Sequence, residues 1–241
     1  MRIFYSTLQD IKFQYRYGFY FIYVIIVLFY IILLSFLPEE WRSKTIAIIL
    51  FMDPAALGYF FIGGIILLEK NERVLDVLFV SPLKTWEYII AKALSLGFIS
   101  VLVGAVIAFV GLGTKVNMPV LVLSLLMGSS LYTFVGLAAG VKAKTVNQFM
   151  VITIPAEILL STPPIVLLFG VKSTFLEVMP GSLVLRLFQW CTGNYYSASP
   201  LLMLTGLLLW SVPAFYYAIR RMDWFLSRIG GEAYEAGSKT V

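Results

Sequence analysis

An all-α integral membrane fold is predicted for this chain, and three observations predict it. Of the 241 residues, 60% are hydrophobic and 13% charged. The mean hydropathy is +0.91, more apolar surface than a soluble domain of this length can enclose. The apolar residues gather into six runs, at 19–37, 45–68, 88–111, 119–140, 146–168 and 201–219. Each can cross a hydrocarbon core of roughly 30 Å at about 1.5 Å per residue. The charges, finally, sort by side: with both termini on one face, that face holds 13 of the 18 lysines and arginines. The basic face is cytoplasmic by the positive-inside rule. Six transmembrane helices in the cell (inner) membrane, with both termini cytoplasmic, follow. Five or seven spans would split the basic clusters across the membrane.

The flanking segments complete a single domain over 1–229. Residues 1–16 place Ile3, Phe4, Leu8, Ile11 and Tyr15 on one stripe, which predicts an interfacial helix on the inner leaflet. Its charges, Arg2, Asp10, Lys12 and Arg16, do not suit a signal peptide, so the chain is expected to be retained whole. Pro155 and Pro163–Pro164 interrupt the fifth run. Between the last two spans, 169–200 carries Leu183, Val184, Leu187, Phe188 and Trp190. That run is too short to cross, and is expected to lie at the outer interface or to re-enter from outside. Arg220 and Arg221 anchor the last span, and 230–241 reads as a flexible cytoplasmic tail. Gly128, Gly136 and Gly140 recur at multiples of four on the fourth run, and Gly104 and Ala108 on the third, a spacing that lets helices approach closely. Tyrosines near the start of the chain form an interfacial belt.

Several chemistries are excluded. The sequence has no histidine and one cysteine, Cys191, which removes histidine proton relays, Ser-His triads and an internal disulfide. No G-x-x-x-x-G-K-[ST], H-E-x-x-H or G-x-S-x-G occurs, so ATP is not cradled by a P-loop in these residues and no hydrolase signature is present. The chain is therefore not read as an enzyme and is expected to hold no cofactor or metal of its own. The net charge of +5 belongs to cytoplasmic loops and not to a nucleic-acid surface. Energy for uphill work would come from a partner or an ion.

The cytoplasmic segment between the second and third runs, EKNERVLDVLFVSPLKTWE from Glu69 to Glu87, is the most charge-rich internal stretch. Leu75, Leu78, Phe79 and Pro82 fall on one side at helical spacing, and Glu72, Arg73 and Asp76 on the other. Pro82 stops this short helix at Ser81. Thr85 is the expected N-cap of the third span, with Glu87 in its first turn. An amphipathic element of this kind presents an adhesive face to a soluble partner.

Glu69-Lys70, the run from Glu72 to Leu83, then Trp86-Glu87-Tyr88 and Lys92 resemble the loop after the second span in permeases of the type-2 ABC exporter superfamily. Asp53-Pro54 and Gly63-Gly64 are similar to its fluoroquinolone and multidrug export permeases. The specific likeness covers residues 53–92, and the topology resembles the superfamily over the whole chain. The resemblance implies that 70–84 is a coupling helix and that the permease is half of a homodimer or heterodimer. It also implies that a separate cytosolic ABC ATPase, carrying ATP and Mg, docks on the N-terminal helix and this loop and drives export. Glu69, Glu72, Arg73, Leu75, Asp76, Leu78 and Phe79 would then serve ATPase coupling.

Two acids at membrane depth, Asp53 and Glu157, are candidates for the substrate pathway, because a charge there costs a few kcal/mol on the lenient insertion scale. Each also has a structural reading. Asp53 precedes Pro54 and suits an N-cap, with 45–52 at the outer interface. Glu157 can satisfy backbone groups freed by Pro155 or Pro163. The expected function is export of a hydrophobic, drug-like molecule. The same architecture suits a lipid-linked glycan or a peptide. A non-transporting membrane scaffold or immunity protein is the alternative if no ATPase partner exists. Secondary transport would need paired buried charges and inverted repeats.

Overall fold

The computed structural model describes residues 2–52, 57–75, 78, 81–171, 173–193 and 198–238, and among them only helices and turns occur. The helices are α1 (Arg2–Arg16), α2 (Phe19–Ser35), α3 (Glu39–Leu50), α4 (Leu57–Asn71), α5 (Thr85–Leu112), α6 (Met118–Lys142), α7 (Val146–Leu168), α8 (Thr174–Val178), α9 (Pro180–Cys191) and α10 (Pro200–Ser238). A 3₁₀ turn, Gly113–Lys115, joins α5 to α6.

Among the described residues, four segments are long and apolar enough to cross a membrane: Thr85–Lys115, Met118–Lys142, Val146–Leu168 and Pro200–Arg228. The pair α1 and α2, bent by 69°, brings the number to five if counted as one span. The six-span expectation is thus met only in part. Its second run holds α3, ending at Leu50, and α4, starting at Leu57, with Phe51 and Met52 still helical and 53–56 outside the described residues. Helical backbone of α10 continues to Ser238, through a stretch holding the helix formers Ala233, Glu235 and Ala236.

Helix α6 lies at the centre, packed on α4, α5 and α10. The α4–α6 crossing is close because both helices are small there. A Cβ on Gly136 would lie 2.5 Å from the Tyr59 carbonyl oxygen, and one on Gly140 3.3 Å from the Gly63 Cα. One core region joins α3, α5, α6 and α9 through Ile46, Leu50, Ile107, Leu125, Val184 and Phe188. A second, toward the chain termini, gathers Ile62, Ile66, Leu75, Ile89, Leu137 and Met222.

The segment expected to lie at the outer interface or to re-enter from outside packs inward among the other helices. Helix α9 buries Leu183, Val184, Leu185, Leu187, Phe188 and Cys191 against α3, α6, α7 and α10. Its entry is shaped by a proline. Pro164 brings no N–H to the Leu160 carbonyl, and that oxygen lies where a Cβ on Gly181 would stand, 1.7 Å away. Only glycine permits α9 to seat there.

Helix α1 packs against the rest of the fold by its polar side. It buries Asp10 and Gln14 and turns Phe4, Tyr5, Leu8 and Tyr15 outward. The polar side faces inward because its partners stand on α5, and the apolar side is left for lipid.

Candidate coupling site and a mid-span polar cluster

Helix α5 starts one residue earlier than its expected cap. Lys84 is the N-cap, and the Glu87 carboxylate accepts the Lys84 backbone N–H at 2.9 Å, the reciprocal half of a capping box. Thr85 is instead free to donate its hydroxyl to Asp223 of α10 at 2.6 Å. Two turns into α5 stands Lys92, fully enclosed. Its ammonium bonds Asp10 of α1 at 2.6 Å and also the Glu69 carboxylate at the end of α4. Tyr88, one turn before Lys92, donates its hydroxyl to the other Glu69 oxygen. Gln14 donates to Ser95 at 3.0 Å, and Ser95 donates to the Lys92 carbonyl at 2.9 Å. Two carboxylates thus share one ammonium out of water. Asp10 keeps one oxygen without a hydrogen-bond partner among the described residues. This network ties α1, α4 and α5 into one unit, because a buried charge must keep its partners wherever it moves.

Around this unit the loop is fastened at its ends. Arg73 has φ 58°, a left-handed conformation that costs a non-glycine residue and turns the chain out of α4. Tyr17 donates to the Glu72 carboxylate. Arg2 donates to the Pro82 carbonyl at 3.1 Å. Lys70 donates to the carbonyls of Gly140, Val141 and Ala143, at 3.1, 2.6 and 2.7 Å, a cation at the negative end of α6. Of the clefts beside the loop, two are lined by Leu78. One of about 210 Å³ lies against α1 and reaches Asp10, Glu69 and Tyr88. The other, about 380 Å³, lies against α10 and includes Trp86, Ile219 and Asp223.

A family model described as the fluoroquinolones export permease protein family matches residues 2–219. The chain belongs to that family. Two curated relatives, each named fluoroquinolones export permease protein, come from Mycobacterium tuberculosis strains CDC 1551 / Oshkosh and ATCC 25618 / H37Rv. Both are 33% identical over 131 residues, 54% of this chain and 55% of the relative. The chain therefore spans about half the length of the curated relatives it matches. With its apolar helices, the family makes this a multi-pass membrane protein.

The permease distributes the sequence-derived coupling residues unequally. Glu72 and Arg73 are exposed and Leu78 is half-buried. Leu75 and Glu69 are buried, 1% and 4% exposed, so their contacts are internal and they hold the loop in place. Asp76 and Phe79 lie outside the described residues, as does Asp53. Asp10 carries no sequence signal of a site, and Lys92 stands out in the sequence only as part of a motif. One signal does mark Lys92: it stands seven residues into α5, about 10 Å along a helix, in an apolar run that demands a counter-charge.

Glu157 sits half-buried on α7, near the phenols of Tyr59 and Tyr132. Tyr59 donates its hydroxyl to the Thr153 carbonyl at 2.6 Å. The two tyrosine rings stand edge to face, 6.3 Å apart. The Tyr132 hydroxyl is buried with no hydrogen-bond partner among the described residues. A third feature faces outward. An apolar groove of about 360 Å³ runs between α2 and α5, lined by Tyr20, Tyr23, Val27, Ile99, Leu102 and Val106 among others.

Proposed function

We propose that this permease is the transmembrane subunit of an ATP-driven exporter, moving a hydrophobic small molecule out of the cytoplasm or the inner leaflet. A separate cytosolic ATPase, binding ATP and Mg, grips the loop after α4, and a second permease completes the pathway. Both termini face the cytoplasm of the cell membrane. The observation that carries this reading is the enclosed Asp10–Lys92–Glu69–Tyr88 network directly beneath the loop. A push on the exposed Glu72–Arg73 turn reaches α1, α4 and α5 together, because the buried charges cannot separate cheaply. The two clefts beside Leu78 give a motor places to seat apolar side chains. The α2–α5 groove has the size and apolar lining of a drug-like site, and it favours a small hydrophobic molecule over a polymer. Glu157, with Tyr59 and Tyr132 beside it, would meet a cationic group on the way.

The test is reconstitution of the permease with a candidate P-loop ATPase lacking membrane spans, assayed for drug-stimulated ATP hydrolysis and vesicle export. Arg73→Glu is expected to leave assembly and thermal stability intact while lowering drug-stimulated turnover at least tenfold. Full export by the permease alone, with no ATPase bound, would overturn the reading.

A further inference from the structure

The cytoplasmic end of α10 has two unlike faces. Ala218 and Met222 are buried, and Ile219, Phe225 and Leu226 pack with them on the second core region. Asp223 turns aside to Thr85. The remaining sector carries Tyr216, Tyr217, Arg220, Arg221, Trp224 and Arg228. At about 100° per residue these six fall within a sector of about 140°, and they extend about 18 Å along the axis. Both tyrosines and the tryptophan are about half exposed, at 54%, 51% and 51%.

Each guanidinium on this stripe is held by an aromatic ring one turn earlier. Arg220 lies 5.1 Å over the Tyr216 ring, Arg221 5.0 Å over Tyr217 and Arg228 4.8 Å over Trp224. The Nε of Arg220 donates to the Tyr216 hydroxyl at 2.8 Å, and that of Arg221 to the Tyr217 hydroxyl at 2.9 Å. The ring contact holds each guanidinium, the Nε bond adds a second tether at Arg220 and Arg221, and the terminal amino groups remain as the fork that matches a phosphate. Among the side chains described, which in α10 end at Arg228, no carboxylate forms an ion pair with Arg220, Arg221 or Arg228. The stripe begins sixteen residues into α10, about 24 Å along it, where a span approaches the headgroup layer. Aromatic rings at that depth rest in the interface while the arginines reach phosphate.

We infer that this stripe is a binding site for the headgroups of anionic phospholipids in the leaflet around the cytoplasmic end of α10. Its charge, its tethered guanidinium groups and its interfacial rings complement a phosphodiester with an acyl anchor. The site stands apart from the transport reading and is tested without an ATPase.

The full chain is reconstituted in phosphatidylcholine vesicles with a minor fraction of brominated phosphatidylglycerol, or equally brominated phosphatidylcholine. Quenching of Trp224 is read as the difference between the unaltered chain and Trp224→Phe. The anionic lipid is expected to quench several-fold more strongly at equal mole fraction. Each of Arg220→Gln, Arg221→Gln and Arg228→Gln should lower that preference by roughly fivefold or less, with unchanged thermal stability in phosphatidylcholine. Raising salt on the unaltered chain should weaken the preference, which keeps the test decisive if a variant folds poorly. Equal quenching by the two lipids would overturn the inference. So would a preference that survives the triple Arg→Gln change, or one abolished by inorganic phosphate at a concentration equal to the lipid.

Discussion

Lys92 is held by two carboxylates out of water, and that environment dictates the effect of replacing it. Lys92→Met leaves Asp10 and Glu69 facing each other without a cation, and removing one member of a buried ion pair costs about 3–5 kcal/mol. Adding Asp10→Asn and Glu69→Gln to the same chain removes the stranded charges and should recover most of that loss. Thermal unfolding in detergent measures both. A loss below about 1 kcal/mol for Lys92→Met would mean the pair is solvated and rigidifies nothing. The sequence made Glu69 and Lys92 visible as neighbours of one loop. It could not place Asp10 with them, because an aspartate on an amphipathic helix reads equally as a solvated face. The same ambiguity cost Leu75. Its helical spacing suited an adhesive outer face, and its side chain fills the core instead.

At the scale of elements, the crossing of α4 and α6 and the seating of α9 can each be probed. A Cβ on Gly136 would stand 2.5 Å from the Tyr59 carbonyl oxygen, and no backbone shift there is free of the rest of α4. Gly136→Ala is expected to cost about 1–3 kcal/mol. Gly64, one helix face away, has nothing within 4 Å of the place a methyl would take, so Gly64→Ala should be neutral or gain roughly 0.5–1 kcal/mol through helix propensity. Equal effects at the two sites in thermal unfolding would contradict this packing. Between α8 and α9, Glu177 pairs with Arg186 at 2.8 Å. The hydrogen bond from Arg186, and then its charge, hold the Glu177 carboxyl below its ordinary value. The folded state therefore binds this proton less readily than the unfolded one. The stabilisation is complete above the ordinary carboxylate range and is lost as pH falls through the lowered value. Glu177 is largely solvated, so the effect is small. The melting temperatures of the unaltered chain and Glu177→Gln should differ slightly at neutral pH and converge in acid. A gap that widens in acid would reverse the sign.

For the whole molecule, the distribution of polar groups sorts the two ends by task. The end bearing both termini holds the buried network, the fastened loop, the clefts beside it and the basic stripe of α10. The opposite end holds α8 and α9, with α9 enclosed by four helices. Between them lie the α2–α5 groove and the Glu157 cluster, with most of the outer surfaces of α7 and α10 left apolar. Such an arrangement suits a device driven from one side, and the reconstitution with an ATPase described above tests it at this scale.

Composition alone determined that this chain lives in a bilayer, since so much apolar surface has no other solvent. The order of apolar runs determined most of its helices, and the loop from Glu69 to Glu87 was marked by charge density before any fold was known. Tertiary structure alone decided which face of each amphipathic segment turns inward. Periodicity fixes a stripe but not its partner, so Asp10 and Gln14 could be known to face α5 only once Lys92 and Ser95 stood opposite them. The same holds for α9, whose depth depends on a carbonyl that Pro164 leaves open and a glycine that fits against it.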